Sequence, residues 1–112
     1  MTEVEKLAAF VTCARYEDLT FPTRQALASR ILDSIGCALG ALGGEPIGLL
    51  REQLDDFGGN PLCTLIGGGK SAPGRVAFYN GALIRYLDFM DSYLAKGETC
   101  HPSDNLAPMC GG

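Results

Sequence analysis

Residue types suited to acid–base chemistry are concentrated in one segment of this 112-residue chain, between Asp88 and Asn105. His101 is the single histidine, and histidine is the one residue type whose ordinary pKa lies near neutral pH. An imidazole among carboxylates and hydroxyls, on a loop held by helices, is typical of sites that transfer protons. We therefore predict that this segment carries the function. Its chemically competent residues are Asp88, Asp91, Ser92, His101, Ser103 and Asp104.

The predicted chemistry is proton transfer at a carbon atom next to a carboxylate, as in dehydration or decarboxylation of a small polycarboxylic acid. If the preceding helix ends near Phe89, Asp88 and Asp91 lie about one turn apart. Pro102 stiffens the backbone where His101 returns over the same helix end. Serine hydroxyls and exposed helix N–H groups can bind a substrate carboxylate. The cluster would then hold both the proton-transfer group and the groups that bind its substrate.

Two other interpretations of the same residues stay open. In the first, the aspartates form a solvated helix end, Ser103 or Asp104 caps the next helix, and His101 is an ordinary loop residue. In the second, aspartates and histidine bind a metal ion. A single histidine without a partner four residues away does not favour a metal site, so we predict none.

Two further motifs are weaker than they look. The sequence GGGKS at 67–71 matches the end of a phosphate-binding loop, which requires another glycine five positions before Gly69. Thr64 occupies that position, so the run predicts a turn between a strand and a helix.

Cys100 precedes His101, but adjacent side chains rarely point at each other, which disfavours a Cys–His nucleophile. The five cysteines lack a C-x-x-C pair, and we expect most to be reduced and partly buried. They are Cys13, Cys37, Cys63, Cys100 and Cys110.

The composition is that of one small globular domain. Hydrophobic residues make up 46% and charged residues 20% of the chain. The net charge of −4 is spread along the sequence, which argues against nucleic acid or an anionic membrane as a partner. No signal peptide is visible, and the uncharged stretch 34–44 is too short to span a bilayer. We predict a soluble, cytoplasmic protein.

The hydrophobic periodicity predicts a mostly α fold with one short extended segment. Thr2 and Glu5 form a capping-box pattern, and Pro22 suits the first turn of a second helix. Gly36 and Gly40 permit close approach of a neighbour; charges in the same helix disfavour the alternative of a membrane dimer motif. The predicted elements are helices over 2–16, 22–42, 45–57 and 71–87, an extended segment over 62–66, and the start of a fifth helix near Ser103.

The chain resembles the MmgE/PrpD family, which includes 2-methylcitrate dehydratase and cis-aconitate decarboxylase. The similarity is carried by NGA at 80–82, LDFMDS at 87–92 and HPSDN at 101–105. The opening helix, DSIGCALGA at 33–41 and CTLIGGG at 63–69 occur in the family's order. The long connection before HPSDN is more similar to the dehydratase branch than to the decarboxylase. The resemblance therefore implies water elimination from a small tricarboxylic acid.

The resemblance also implies an architecture. Residues 1–112 would form part of a helical N-terminal domain, and complete members continue into an α+β domain that holds further catalytic residues. Members work as homodimers without metal or organic cofactor. We accordingly expect this chain to be an N-terminal fragment that is inactive alone, the alternative being a non-catalytic helical remnant or interaction module.

The resemblance, position by position, gives four site residues, and the serine hydroxyls of the cluster add Ser103. His101 and Asp88 are predicted to be catalytic, and Asp91, Ser92 and Ser103 to bind substrate. Met90 replaces the Asn or Asp usual at its position, which would remove one polar group from the site.

Overall fold

The computed structural model describes residues 1–106, apart from the side chains of residues 104 and 105. Within that range, four α-helices are joined by short antiparallel strand pairs and two 3₁₀ helices. The predicted fold class, mostly α with one short extended segment near 62–66, is confirmed. The strand that occupies that segment is β1, Cys63–Thr64.

Helix α1, Glu3–Cys13, begins as predicted. The Thr2 hydroxyl accepts a hydrogen bond from the Glu5 amide, and the Glu5 carboxylate accepts one from the Thr2 amide at 2.6 Å. The helix ends three residues before the predicted Tyr16, because Ala14 is extended and Tyr16–Asp18 forms a 3₁₀ turn. Like the rest of this segment, α1 has no buried residue.

Helix α2 covers Phe21–Gly40, with Thr20 as its cap and Pro22 in the first turn. The predicted close approach occurs at Gly40, where an added Cβ would lie 3.1 Å from Leu87 Cδ1. It does not occur at Gly36, where an added Cβ would meet nothing within 4 Å. Helix α3, Glu45–Phe57, has the predicted bounds. Among residues 1–106 no single helix is long and apolar enough to cross a membrane, although α2 and α3 together, across an 88° bend, reach that length and composition.

The glycine run forms a turn between two strands, which corrects the predicted turn between a strand and a helix. Strand β1 pairs antiparallel with β2, Lys70–Ser71. Gly67 has a φ of +95°, a backbone conformation that favours glycine. Helix α4, Pro73–Tyr86, therefore begins after Ala72 rather than at Ser71.

Helix α4 is the centre of the core, where α2 and α3 both pack against it. The Asn80 side chain ties α4 to the β1 region: its Oδ1 accepts the Ile66 amide at 3.0 Å and its Nδ2 donates to the Thr64 carbonyl at 3.2 Å. Satisfying buried polar groups in this way holds the middle of α4 against the β1 region. The core residues are Ala38, Ala41, Ile47, Leu54, Cys63, Leu65, Val76, Tyr79, Leu83 and Ile84.

The cysteines divide equally between core and surface in the part of the chain that the structure describes. Cys37 and Cys63 are buried, whereas Cys13 and Cys100 are exposed, and none of the four forms a disulfide bond. Burial raises the pKa of the Cys37 thiol, with a smaller contribution from the charge of Asp33. Cys110 lies outside the described residues.

Candidate active site

The end of α4 differs from its prediction. The helix ends at Tyr86, and Asp88 adopts a left-handed conformation with φ +57° while its amide donates to the Arg85 carbonyl. Because the chain leaves the helix there, Asp88 and Asp91 are not neighbours on a helical turn, and that expectation was wrong. Asp88 is exposed, and its carboxylate makes no hydrogen bond or ion pair with the described residues.

A β-hairpin follows, which the sequence analysis missed. Strand β3, Tyr93–Ala95, pairs antiparallel with β4, Glu98–Cys100, around a turn in which Gly97 has a φ of +88°. The Lys96-Gly97 pair between two short runs was an available signal for such a turn. Since Tyr93 pairs with Cys100, the residues just outside the hairpin, Ser92 and His101, are brought together.

The His101 ring is held by its Nδ1 atom. This atom lies 2.9 Å from the Asp91 carbonyl oxygen and 3.2 Å from Ser92 Oγ. A carbonyl oxygen only accepts hydrogen bonds, so Nδ1 must carry the proton and donate it. In the neutral ring this leaves Nε2 unprotonated and able to accept a proton. The Ser92 hydroxyl then accepts at most a share of the Nδ1 proton, and its own proton remains available to another group.

The Asp91 side chain anchors the segment that follows His101. Its Oδ1 accepts a hydrogen bond from the Ser103 amide at 3.0 Å, at the start of the 3₁₀ helix Pro102–Leu106. Asp91 therefore caps this helix, the role predicted for Ser103 or Asp104. The nearby Ser103 hydroxyl is the largest cause that lowers the pKa of Asp91, ahead of the Ser103 amide and the charge of Arg30, while burial opposes all three.

Ser103 is 3% exposed, so its hydroxyl does not face a substrate directly in this structure. Its Oγ has no hydrogen-bond partner among the described residues even though it lies near enough to Asp91 to influence its pKa. The 3.0 Å amide bond is therefore the firm contact between the two residues. The Asp104 side chain lies outside the described part of the chain.

Met90 is also buried, at 8% exposed. A methionine satisfies that position by packing, whereas an Asn or Asp there would need hydrogen-bond partners.

The fifth helix, predicted to start near Ser103, is the 3₁₀ helix Pro102–Leu106 in the structure. Any continuation of it beyond Leu106 lies outside the described residues.

The structure thus brings together Asp91, Ser92, His101 and Ser103. Asp88 is exposed, and its side chain makes no hydrogen bond with any of these four residues. An apolar cavity of about 210 Å³ reaches the end of the 3₁₀ helix, with Ser34, Asn80 and Leu106 in its walls. None of the five predicted site residues lines it, so the candidate site is the surface cluster and not the cavity. Among residues 1–106, no group of three or more His, Cys, Asp or Glu residues is placed to hold a metal ion.

The chain matches the model of a known protein family over nearly its whole length. The family model described as the MmgE/PrpD N-terminal domain matches residues 5–111. The chain belongs to the MmgE/PrpD family. The match covers both the helical framework and the cluster around His101, as the sequence motifs predicted.

Individual members of the MmgE/PrpD family are similar to parts of the chain. The 2-methylcitrate dehydratases of Salmonella typhimurium (strain LT2) and Escherichia coli (strain K12) are each 38% identical over 86 residues. Each match covers 68% of this chain and 16% of the relative. The mitochondrial 2-methylcitrate dehydratase of Yarrowia lipolytica is 38% identical over 84 residues, covering 67% of this chain and 15% of the relative. The chain therefore matches less than a fifth of the length of these curated relatives.

Proposed function

We propose that this chain supplies the His101 part of an active site that eliminates water from a small tricarboxylic acid of the 2-methylcitrate type. Three relatives bear the name 2-methylcitrate dehydratase, and the family membership supports a substrate that is a small carboxylic acid. The reaction, the substrate, the cytoplasmic location and a homodimeric assembly are all parts of this proposal.

The observation that carries the proposal is the 2.9 Å contact between His101 Nδ1 and the Asp91 carbonyl oxygen. It orients the ring and assigns its proton, so that Nε2 is the atom able to take a proton from the carbon next to a substrate carboxylate. A backbone carbonyl keeps this geometry without adding a charge beside the ring. His101 is accordingly the proposed general base.

The exposed hydroxyl and carboxylate complete the proposed roles. Ser92 has a hydroxyl proton left over to donate to a substrate carboxylate, since Nδ1 is already a donor. Asp88 is exposed and carries no partner among the described residues, so its carboxylate can accept a hydrogen bond from the substrate hydroxyl. Asp91 and Ser103 are engaged with each other, and we assign them to positioning the His101 segment rather than to contacting substrate.

Water elimination also requires a group that protonates the leaving hydroxyl and walls that exclude water. Among the described residues, nothing on the opposite side of His101 supplies either. We therefore expect the isolated 112-residue chain to form no 2-methyl-cis-aconitate from 2-methylcitrate. Turnover by the purified chain that disappears in His101→Ala would contradict this expectation.

The test of the proposal joins this chain to the remaining part of a family relative and measures dehydration. His101→Ala is expected to reduce kcat/KM by about 10²-fold or more, the usual effect of losing a positioned acid–base group. His101→Asn, which can still donate to the Asp91 carbonyl but cannot act as a base, is expected to be equally impaired. Cys100→Ser, at the adjacent exposed position, is the matched control and keeps normal kinetics.

Two results would overturn the assignment. Near-normal kinetics in both His101 variants would remove the catalytic role and support the non-catalytic interpretation of the loop. Release of CO₂ from cis-aconitate, without dehydration of 2-methylcitrate, would replace the dehydratase assignment with a decarboxylase.

A further inference from the structure

On the proposed function, the residues assigned to the candidate site supply no positive charge to bind the carboxylates of the substrate. A small tricarboxylate carries up to three negative charges, whereas Asp88 and Asp91 in the same region are acids and the chain's net charge is −4. Like charges within a few ångströms repel, so a cation must face the substrate. Arginine suits this role, since its guanidinium binds a carboxylate through two parallel hydrogen bonds.

Helix α2 places one arginine next to the site. The Arg30 carbonyl accepts a hydrogen bond from Ser34 Oγ at 2.9 Å. Ser34 is 2% exposed and shares a cavity wall with Leu106 of the 3₁₀ helix, and α2 packs directly against that 3₁₀ helix. Since residues four apart lie on the same helix face, Arg30 is one turn from the contact between α2 and the segment anchored by Asp91.

The Arg30 side chain is exposed and forms no hydrogen bond or ion pair within 4 Å among the described residues. Its charge nevertheless reaches the site, because it contributes to the lowered pKa of Asp91 after the larger effects of the Ser103 hydroxyl and amide. Asp91 is already bonded to the Ser103 amide, so the guanidinium donors of Arg30 remain available to another carboxylate. Other cations of the region are differently placed: Lys96 lies in the hairpin turn, and Arg85 already has an interaction partner.

We infer that Arg30 is a substrate-binding residue that pairs with one carboxylate of the tricarboxylic acid while another part of the substrate contacts Ser92 and His101. This inference rests on the proposed function and adds to it a residue that lies 58 positions before Asp88 in the chain. Arg30 acts on substrate affinity and not on the proton transfer itself.

The test is a titration of the ¹⁵N-labelled 112-residue chain with tricarballylate, a tricarboxylate that has no hydroxyl to eliminate, at constant ionic strength. The wild-type chain is expected to bind it with shifts at the amides of Ser92 and His101. Arg30→Gln is expected to raise Kd by about tenfold or more, the effect of losing a hydrogen bond between charged groups. Arg30→Lys is expected to recover part of the affinity. Arg15→Gln removes the same charge near α1 and is expected to leave Kd unchanged.

Equal affinity in wild type and Arg30→Gln, absence of tricarballylate binding by the wild type, or an effect of Arg30→Gln on thermal stability alone would each overturn the inference. The outcome is separable from that of the proposed function, because the ligand does not react. Arg30-dependent binding with no dehydration by the completed enzyme would remove the proposed reaction and leave this inference standing. Normal dehydration by the wild-type fusion, with an unchanged tricarballylate affinity in Arg30→Gln, would remove this inference and leave the proposed reaction standing.

Discussion

The Nδ1 atom of His101 lies 2.9 Å from the backbone carbonyl oxygen of Asp91, while the carboxylate of the same aspartate accepts the Ser103 amide at 3.0 Å. One residue thus holds His101 with its backbone and the segment after His101 with its side chain. The two functions separate under mutation, since a substitution at Asp91 removes the carboxylate and keeps the carbonyl. This separation supplies the first prediction.

Asp91→Ala is expected to lower the free energy of unfolding by about 1 kcal/mol, the usual effect of losing a helix-capping side chain. Asp91→Asn is expected to cost less, because its amide oxygen can still accept the Ser103 amide. Ser103→Ala keeps the backbone amide that Asp91 Oδ1 accepts and is expected to cost less than Asp91→Ala. Urea denaturation followed by circular dichroism measures all three. A larger loss in Ser103→Ala than in Asp91→Ala would return the cap to Ser103.

Asp91 also predicts a dependence of stability on pH. Its pKa is lowered in the folded chain, chiefly by the Ser103 hydroxyl, so folding favours the ionised carboxylate. The resulting stabilisation is complete above the ordinary pKa of 3.8 and is lost as pH falls from there through the folded value. The difference in unfolding free energy between wild type and Asp91→Asn is therefore expected to be constant well above pH 3.8 and to shrink as pH falls below that value. A difference that stays constant with pH would contradict the assignment.

Asp88 allows folding to be separated from chemistry. Its left-handed backbone, φ +57°, suits glycine and disfavours β-branched residues by about 1–2 kcal/mol. Asp88→Gly is expected to fold at least as well as wild type, and Asp88→Val to be destabilised by that amount. In the fusion of this chain to the remaining part of a family relative, Asp88→Gly and Asp88→Asn are both expected to impair turnover. Full activity in the well-folded Asp88→Gly would exclude a catalytic role for the carboxylate.

The two glycines of α2 are expected to respond differently to alanine. Gly36→Ala is expected to stabilise the chain by up to about 1 kcal/mol, because the position is inside a helix and open. Gly40→Ala is expected to gain less or to destabilise, since its Cβ would lie 3.1 Å from Leu87 Cδ1 and would press on the residue before Asp88. Thermal denaturation of the two variants compares them directly. Equal increases in thermal stability would show that Leu87 moves aside for the added methyl group without a cost.

The apolar face of α1 is expected to make the isolated chain self-associate. Val4, Leu7, Phe10 and Val11 are each 64–75% exposed, and exposed apolar patches of this kind promote association. Sedimentation at increasing concentration is expected to show oligomers, which Leu7→Gln with Phe10→Gln reduces without loss of helical signal. The matched control is Leu49→Gln, another exposed apolar position, which lies in α3 with no exposed large hydrophobic residue three or four positions away. A chain that stays monomeric at every concentration would contradict this prediction.

Much of the helical framework follows from residues that are neighbours in the chain. The capping box of Thr2 and Glu5 and the glycine stop at Gly58 are local signals, and the structure places helix ends there. The end of α4 was predicted less well. Apolar residues continue past Tyr86 through Leu87 and Phe89, so periodicity extended the helix, whereas the chain turns left-handed at Asp88.

From the sequence alone came the family, the mostly helical fold and the segment with the residues of the candidate site, because periodicity, caps and motifs are properties of residue types at short spacing. Tertiary structure decided how those residues are used. The hairpin register brings Ser92 to His101, the bond that orients the imidazole comes from a backbone carbonyl, and α2, which carries Arg30, packs on the 3₁₀ helix. A backbone carbonyl is present in every residue, so its hydrogen bond to His101 cannot be predicted from residue types. Helix packing joins positions far apart in the chain, so it cannot be predicted from the spacing of residue types either.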